Sequence, residues 1–236
     1  MHRGAFILQE DLIKFEKNLS KYINAKYSFG VADGTNALIL GLMAMDIGKG
    51  HEVIVPSHTY IASAASIHFV GATPIPVECG SDHMLDPQKI ETSITDKTKA
   101  IMPVQLNGRT CNMEQINSIS AKYGLEIIED AAQALGSKFQ DQNAATFGSI
   151  GTFSFYPAKL LGTFGDGGAV ITNNDELAKK VSYLRDHGRN DNGEVVAWGT
   201  NSRLDNMHAA VLDIKLKYFN EDIEKRRSIA KQYQDL

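Results

Sequence analysis

The sequence predicts an α/β fold, a three-layer sandwich with a mostly parallel sheet between two layers of helices. Two observations predict it. Strand-like and helix-like segments alternate along the chain. The strand-like segments, such as Glu52-Val53-Ile54-Val55 and Leu125-Glu126-Ile127-Ile128, are apolar runs rather than in/out alternations, as expected of strands covered on both faces. A length of 236 residues allows one large domain or two small ones.

The elements follow in order. Leu12, Ile13, Phe15, Leu19, Tyr22 and Ile23 recur at helical spacing and predict an amphipathic helix from Glu10 to Asn24. Tyr27 to Ala32 is a strand, and Asp33-Gly34-Thr35 then opens an apolar helix to Met45, with Asp33 or Thr35 as its cap. A strand from Glu52 stops at Pro56, a second apolar helix runs from Tyr60 to Val70, and Gly71 closes it. Pro74 and Pro76 place the strand Thr73 to Val77 at a sheet edge or strand end. A weaker helix, Asp86 to Ile94, has proline in its first turn. Next come a strand from Lys99 to Val104, a helix from Met113 to Tyr123 and a strand from Leu125 ending in Glu129 and Asp130. The short apolar strand from Gly151 delivers Lys159 into a small-residue loop. Gly168 to Thr172 is a strand and Asn174 to Asp186 a helix, acidic early and basic late as the helix dipole favours. From Arg203 one long helical pattern runs almost to the end.

Composition excludes several function classes. Apolar residues at 43% and charged residues at 22% are ordinary for a globular protein, and a net charge of −4 does not suggest nucleic acid or an anionic membrane surface as partner. The basic run Lys225-Arg226-Arg227 has acidic neighbours on a helix and reads as a solvated face. Cys79 and Cys111 are too few for a disulfide framework and lack zinc-ligand spacing. No apolar run is long enough to span a bilayer and no signal-peptide pattern is present, so the cytoplasm is the expected location.

In folds of this class ligands bind at the carboxyl ends of the strands, and four of those ends carry chemistry. Asp33-Gly34-Thr35 can present free amides, a helix dipole and a hydroxyl to a phosphate, or be an ordinary helix cap. Tyr60 can stack on a flat ring or pack in the core, and His58 has no companion at metal-ligand spacing. Asp130, at the end of a buried strand, needs a cationic or hydrogen-bonding partner, such as a protonated pyridine nitrogen or the start of the next helix. Ser154 can add a hydroxyl to a phosphate site, and Lys159 can form a Schiff base with pyridoxal phosphate or be an exposed loop lysine. Together these are the parts that a pyridoxal phosphate site requires. No P-loop and no G-x-G-x-x-G fingerprint is present.

The same residues resemble the DegT-type nucleotide-sugar aminotransferases, which have the type I pyridoxal phosphate fold. The likeness rests on Asp33-Gly34-Thr35-Asn36-Ala37-Leu38, Glu52 to Tyr60, Gly71-Ala72-Thr73-Pro74, Glu129-Asp130-Ala131-Ala132-Gln133, Phe153 to Lys159, Gly165-Asp166-Gly167-Gly168 and Asn201-Ser202-Arg203-Leu204-Asp205. The resemblance implies that Lys159 is the covalent, proton-shifting lysine. It implies that Asp130 partners the pyridine nitrogen, Tyr60 stacks on the ring and Gln133 lies near the ring hydroxyl. Gly34, Thr35 and Ser154 would hold the phosphate, and Asn201 would reach the phosphate of a neighbouring subunit's cofactor, making a homodimer with shared active sites. The implied reaction moves an amino group from an amino acid, most often glutamate, to the keto-sugar of a nucleoside diphosphate, in amino-sugar biosynthesis for surface polysaccharide or secondary metabolites. A related branch dehydrates sugars with histidine in place of the lysine, and Lys159 argues against it.

Where the family usually has His-Leu-Tyr-Gly, this chain has Gln105-Leu106-Asn107-Gly108, whose side chains are expected within reach of substrate. Family members continue into a smaller C-terminal domain. The expectation is therefore a cofactor-binding large domain over residues 1–205 and, over 206–236, the start of a long helix leading to a small domain absent from this chain. Two other readings stay open. One is another type I pyridoxal phosphate enzyme, such as an aldolase or a desulfurase, although neither cysteine lies in an obvious nucleophile loop. The other is a truncated, non-catalytic binding or regulatory module.

Overall fold

Leu12, Phe15, Leu19 and Ile23 form the buried face of the first helix, α1 (Glu10–Ile23), as their spacing requires. The computed structural model describes residue 4 and residues 6–235; residues 1–3, 5 and 236, at the ends of the two expected domain spans, lie outside the described residues. After α1 come β1 (Tyr27–Val31), α2 (Gly34–Ala44), β2 (Glu52–Pro56), α3 (Ile61–Phe69) and β3 (Thr73–Val77). The chain continues through α4 (Pro87–Ile90), β4 (Thr98–Ile101), α5 (Met113–Tyr123), β5 (Glu126–Asp130) and a short hairpin of β6 (Lys138–Phe139) and β7 (Gln142–Asn143). It ends with β8 (Ile150–Ser154), β9 (Gly168–Thr172), α6 (Asp175–Leu184), α7 (Asn206–Leu216) and α8 (Phe219–Gln234).

Seven strands form one sheet in the order β1-β9-β8-β5-β4-β2-β3. Pairings from β8 across to β3 are parallel, and β9 is antiparallel to both of its neighbours. This is the expected mostly parallel sheet of a three-layer α/β fold. The proline-bearing β3 occupies an edge, where missing amide donors cost no ladder bonds.

Alternate residues of each strand feed opposite layers. Val53, Val55, Ile128 and Val170 pack with α2, α3 and α6 on one face. On the other, Phe153, Ala169 and Ile171 pack against α1 and α7, and Ile54, Ile101 and Ile127 against α4 and α5. Because β1 and β8 both run opposite to β9, the carboxyl ends of β1, β2, β4, β5 and β8 share one edge of the sheet.

The structure corrects two expectations and adds one element. The weak helix from Asp86 is a single turn, α4, followed by a 3₁₀ turn over Glu91–Ser93. The long helix after Arg203 is two helices, broken at Lys217 and Tyr218. That break turns Phe219 into the core against the edge of Tyr22, ring centroids 5.7 Å apart, while the charged remainder of α8 stays in water. The β6–β7 hairpin was not foreseen, since Gln140 and Asp141 adopt the positive φ of its turn without the usual Asn-Gly signature.

Candidate active site

A cleft of 790 Å³ opens at the shared strand edge. Its wall includes Gly34, Thr35, Tyr60, Asp130, Gln133, Ser154 and Lys159. The structure thus brings together seven of the eight residues singled out from the sequence. Asn201 is the exception: it is exposed, lies between α6 and α7, and does not line the cleft. Its side-chain oxygen accepts from Arg203 Nε at 3.0 Å, and Arg203 is in turn paired with Asp186 at 3.0 Å.

The anion-binding end is built by close backbone approach. Asp33 caps α2, its carboxylate accepting the Asn36 amide at 2.8 Å and the Asn36 side chain at 2.6 Å. Asp33 therefore satisfies the third amide of the helix, and among the described residues Gly34 N and Thr35 N have no hydrogen-bond partner. They are free for an anion at the positive end of the helix dipole. A Cβ at Gly34 would lie 2.7 Å from Cβ of Ser154, and one at Gly168 would lie 2.4 Å from the Asp33 carbonyl. Only glycine at both places lets α2, β8 and β9 meet, and this contact sets Ser154 beside the free amides. At Gly162 too, the space that a Cβ would need is filled by protein backbone, that of Tyr156 and Pro157.

Asp130 closes the other end. It is buried at the end of β5, where Ser63 Oγ donates to Oδ2 at 2.7 Å and Ala132 N to Oδ1 at 3.2 Å. Burial pushes its carboxyl above the usual range, against the opposing pull of the Ser63 and Ala132 donors and the Lys159 charge. Lys159 is half-buried, on the turn after β8, and its amide donates to the Tyr156 carbonyl at 2.8 Å. Tyr60 stands immediately before α3 with most of its ring exposed to the cleft. Gln133 is oriented by the Asn107 amide, which donates to its Oε1 at 2.9 Å.

Sequence reasoning missed Ser63, whose helical spacing four residues after Thr59 was the available signal. It also misplaced Gln105. That side chain is fully buried, donates to Glu129 at 2.8 Å and accepts the Cys111 amide at 2.7 Å, so it braces the loop rather than meeting substrate. Asn107 is exposed.

The model of the DegT/DnrJ/EryC1/StrS aminotransferase family matches residues 1–236. The chain belongs to this family. It is 48% identical over 234 residues to the dTDP-3-amino-3,6-dideoxy-alpha-D-galactopyranose transaminase of Aneurinibacillus thermoaerophilus, covering 99% of this chain and 64% of that protein. It is 43% identical to the dTDP-3-amino-3,4,6-trideoxy-alpha-D-glucose transaminase of Streptomyces venezuelae, covering 98% of this chain and 61% of that protein. The crystal structure of S. venezuelae DesV in complex with a ketimine intermediate superposes with a TM-score of 0.96 at 42% identity, over 99% of this chain and 63% of that one. The chain therefore spans less than two thirds of the length of these relatives.

Aminotransferases of the DegT/DnrJ/EryC1/StrS family depend on pyridoxal phosphate. The residues here fit that group. Two unpaired amides and a serine hydroxyl suit its phosphate, a buried carboxyl that has no hydrogen-bonded cation among the described residues suits its ring nitrogen, and an amine after the neighbouring strand end suits its aldehyde.

Proposed function

We propose that this chain is the cofactor-binding part of a nucleotide-sugar aminotransferase. The observation that carries the reading is the convergence of Lys159, Asp130 and the free Gly34 and Thr35 amides on one cleft. Bound pyridoxal phosphate would supply the electron sink that lets an amino group pass from an amino acid, with glutamate the proposed donor, to a keto-sugar on a nucleoside diphosphate. Lys159 would hold the cofactor and carry the transferred proton. Asp130 would keep the ring nitrogen charged, Tyr60 would cover the ring face, and Gln133 would accept or donate at the ring hydroxyl. Gly34, Thr35 and Ser154 would fix the phosphate.

The reading extends to a homodimer in the cytoplasm. Asn201 is exposed and braced by Arg203, and Trp198 (94% exposed) stands three residues away. Tyr60, in the cleft wall, and Phe164, in the loop before β9, are also exposed. A second copy would cover such apolar side chains and bring Asn201 to its neighbour's phosphate. Residues 1–205 are proposed as the cofactor-binding unit. The helices from 206 are proposed to lead away from it, although α7 is itself packed against α1 in the core.

The test is spectroscopic. The whole protein mixed with pyridoxal phosphate should gain a visible absorbance band that glutamate bleaches and a keto-sugar nucleotide restores. Lys159→Ala should abolish the band. A band indifferent to every amino donor would leave a cofactor-binding module and remove the transaminase.

A further inference from the structure

Asp130 is held by a residue that the cofactor reading does not use. Ser63 lies in the first turn of α3, is fully buried, and points its hydroxyl at Asp130 Oδ2, 2.7 Å away. One turn earlier, Thr59 Oγ1 lies 2.8 Å from Ser63 Oγ, and Thr59 lines the cleft. A hydroxyl has one proton to give. When Asp130 is a carboxylate, Ser63 donates to it and accepts from Thr59. When Asp130 is protonated, all the donors can reverse: Asp130 donates to Ser63 and Ser63 to Thr59. Neither state leaves a buried polar atom of this chain of groups unpaired.

We propose that Ser63 is a positioning residue for the cofactor's ring nitrogen: it fixes the rotation of the Asp130 carboxyl and, through Thr59, gives the Asp130 proton a path to the cleft. Where Asp130 carries a proton, a ring-nitrogen cation brought beside it would send that proton to Ser63 Oγ while Ser63 hands its own to Thr59 and Thr59 hands one to water in the cleft. Three O–H bonds would break, on Asp130, Ser63 and Thr59, and three would form, on Ser63, Thr59 and a water that becomes hydronium, with Asp130 left ionised. Ala132 N is the second donor to the carboxyl, from the segment after β5, and Lys159 acts on it from the turn after β8. A donor to a charged acceptor is worth more than one to a neutral acceptor, so the Ser63 bond favours the carboxylate form that the ring cation needs.

The proposal rests on the cofactor reading above, and its test separates the two. Affinities of the whole protein are measured for pyridoxal phosphate and for an analogue with carbon in place of the ring nitrogen. Ser63→Ala should weaken pyridoxal phosphate binding by about tenfold and leave the analogue's affinity unchanged. Ser63→Thr, which keeps a hydroxyl on the same carbon, should retain the preference for the nitrogen ring. An equal loss for both ligands in Ser63→Ala would mark Ser63 as merely structural and overturn the proposal. So would no loss for either, or a Thr variant that loses the preference as the Ala variant does. If the unaltered protein binds neither ligand, the cofactor reading falls and the Ser63 role with it.

Discussion

Glu129 shows how much of the cleft is fixed by single buried residues that meet no ligand. Its two oxygens accept four donors: Gln105 Nε2 at 2.8 Å, and the amides of Ala145, Phe147 and Gly148 at 2.9, 2.6 and 3.1 Å. Glu129→Ala would remove both acceptor oxygens and strand these buried donors whichever protonation state the carboxyl holds. The expected loss is about 3 kcal/mol in denaturant unfolding, from about 1–3 kcal/mol for each unsatisfied buried group. Amide exchange should quicken first at Phe147 and Gly148. Cys111 follows the same logic of burial. It is fully buried, its thiol is pushed up to about 12 by burial, and it therefore holds its proton at neutral pH. A thiol reagent should label the half-buried Cys79 in the folded protein and reach Cys111 only on unfolding. Rapid labelling of Cys111 would reopen a cysteine-based chemistry such as desulfuration.

At the level of elements, the start of α2 and the β8–β9 turn act as one device. Gly168→Ala sets a methyl 2.4 Å from the Asp33 carbonyl and must push α2 away from β9. Pyridoxal phosphate affinity should fall at least tenfold, on the order of 1.4 kcal/mol, because the free Gly34 and Thr35 amides move with the helix start. Asp33→Ala should behave differently. It removes a cap worth about 1 kcal/mol, lowering stability, but removes no anion ligand, so phosphate affinity should be spared. Element existence was legible in the sequence wherever period and punctuation agreed: Asp33 before an apolar helix, Pro74 and Pro76 on an edge strand, Gly168 to Thr172 as a strand without a break. It was not legible where tertiary packing decides. Nothing local marks Tyr218 as the break between α7 and α8, because the cause is Phe219 finding Tyr22, far away in sequence. The cleft residues were legible because each sits at a strand end. Ser63 and the inward turn of Gln105 were not, because both depend on which carboxylate folds beside them.

An ion pair with one buried and one half-buried partner ties the two layers of the molecule together. Arg185 at the end of α6 pairs with Glu16 on α1, donates to the Gly30 carbonyl at 3.0 Å, and lies 5.2 Å from the Phe29 ring centroid. Removing one partner leaves the other charge buried, so Glu16→Ala should cost about 3–5 kcal/mol. A charge-free replacement of both residues by apolar ones should cost less than that single change.

Acidity acts at the same scale. Burial raises the carboxyls of both Glu129 and Asp130 above their unfolded values. A raised folded-state value means that their favourable contribution is complete below the unfolded carboxylate range, about pH 4. It is lost as pH rises through the folded value. The ligand-free protein should therefore lose stability from this pair as pH rises through that window, with Glu129 and Asp130 contributing in the same direction. A ring-nitrogen cation at Asp130 favours the carboxylate and relieves the Asp130 share alone. Pyridoxamine phosphate, which forms no bond to Lys159, isolates this effect from covalent attachment. Its stabilisation of the protein, read as a shift in Tm, should grow with pH across the window. In Asp130→Asn the pH-dependent part of the shift should vanish while a smaller, flat shift from phosphate binding remains. A shift that grows equally in the Asn variant would place its origin in the phosphate or the amine and would separate Asp130 from the ring nitrogen.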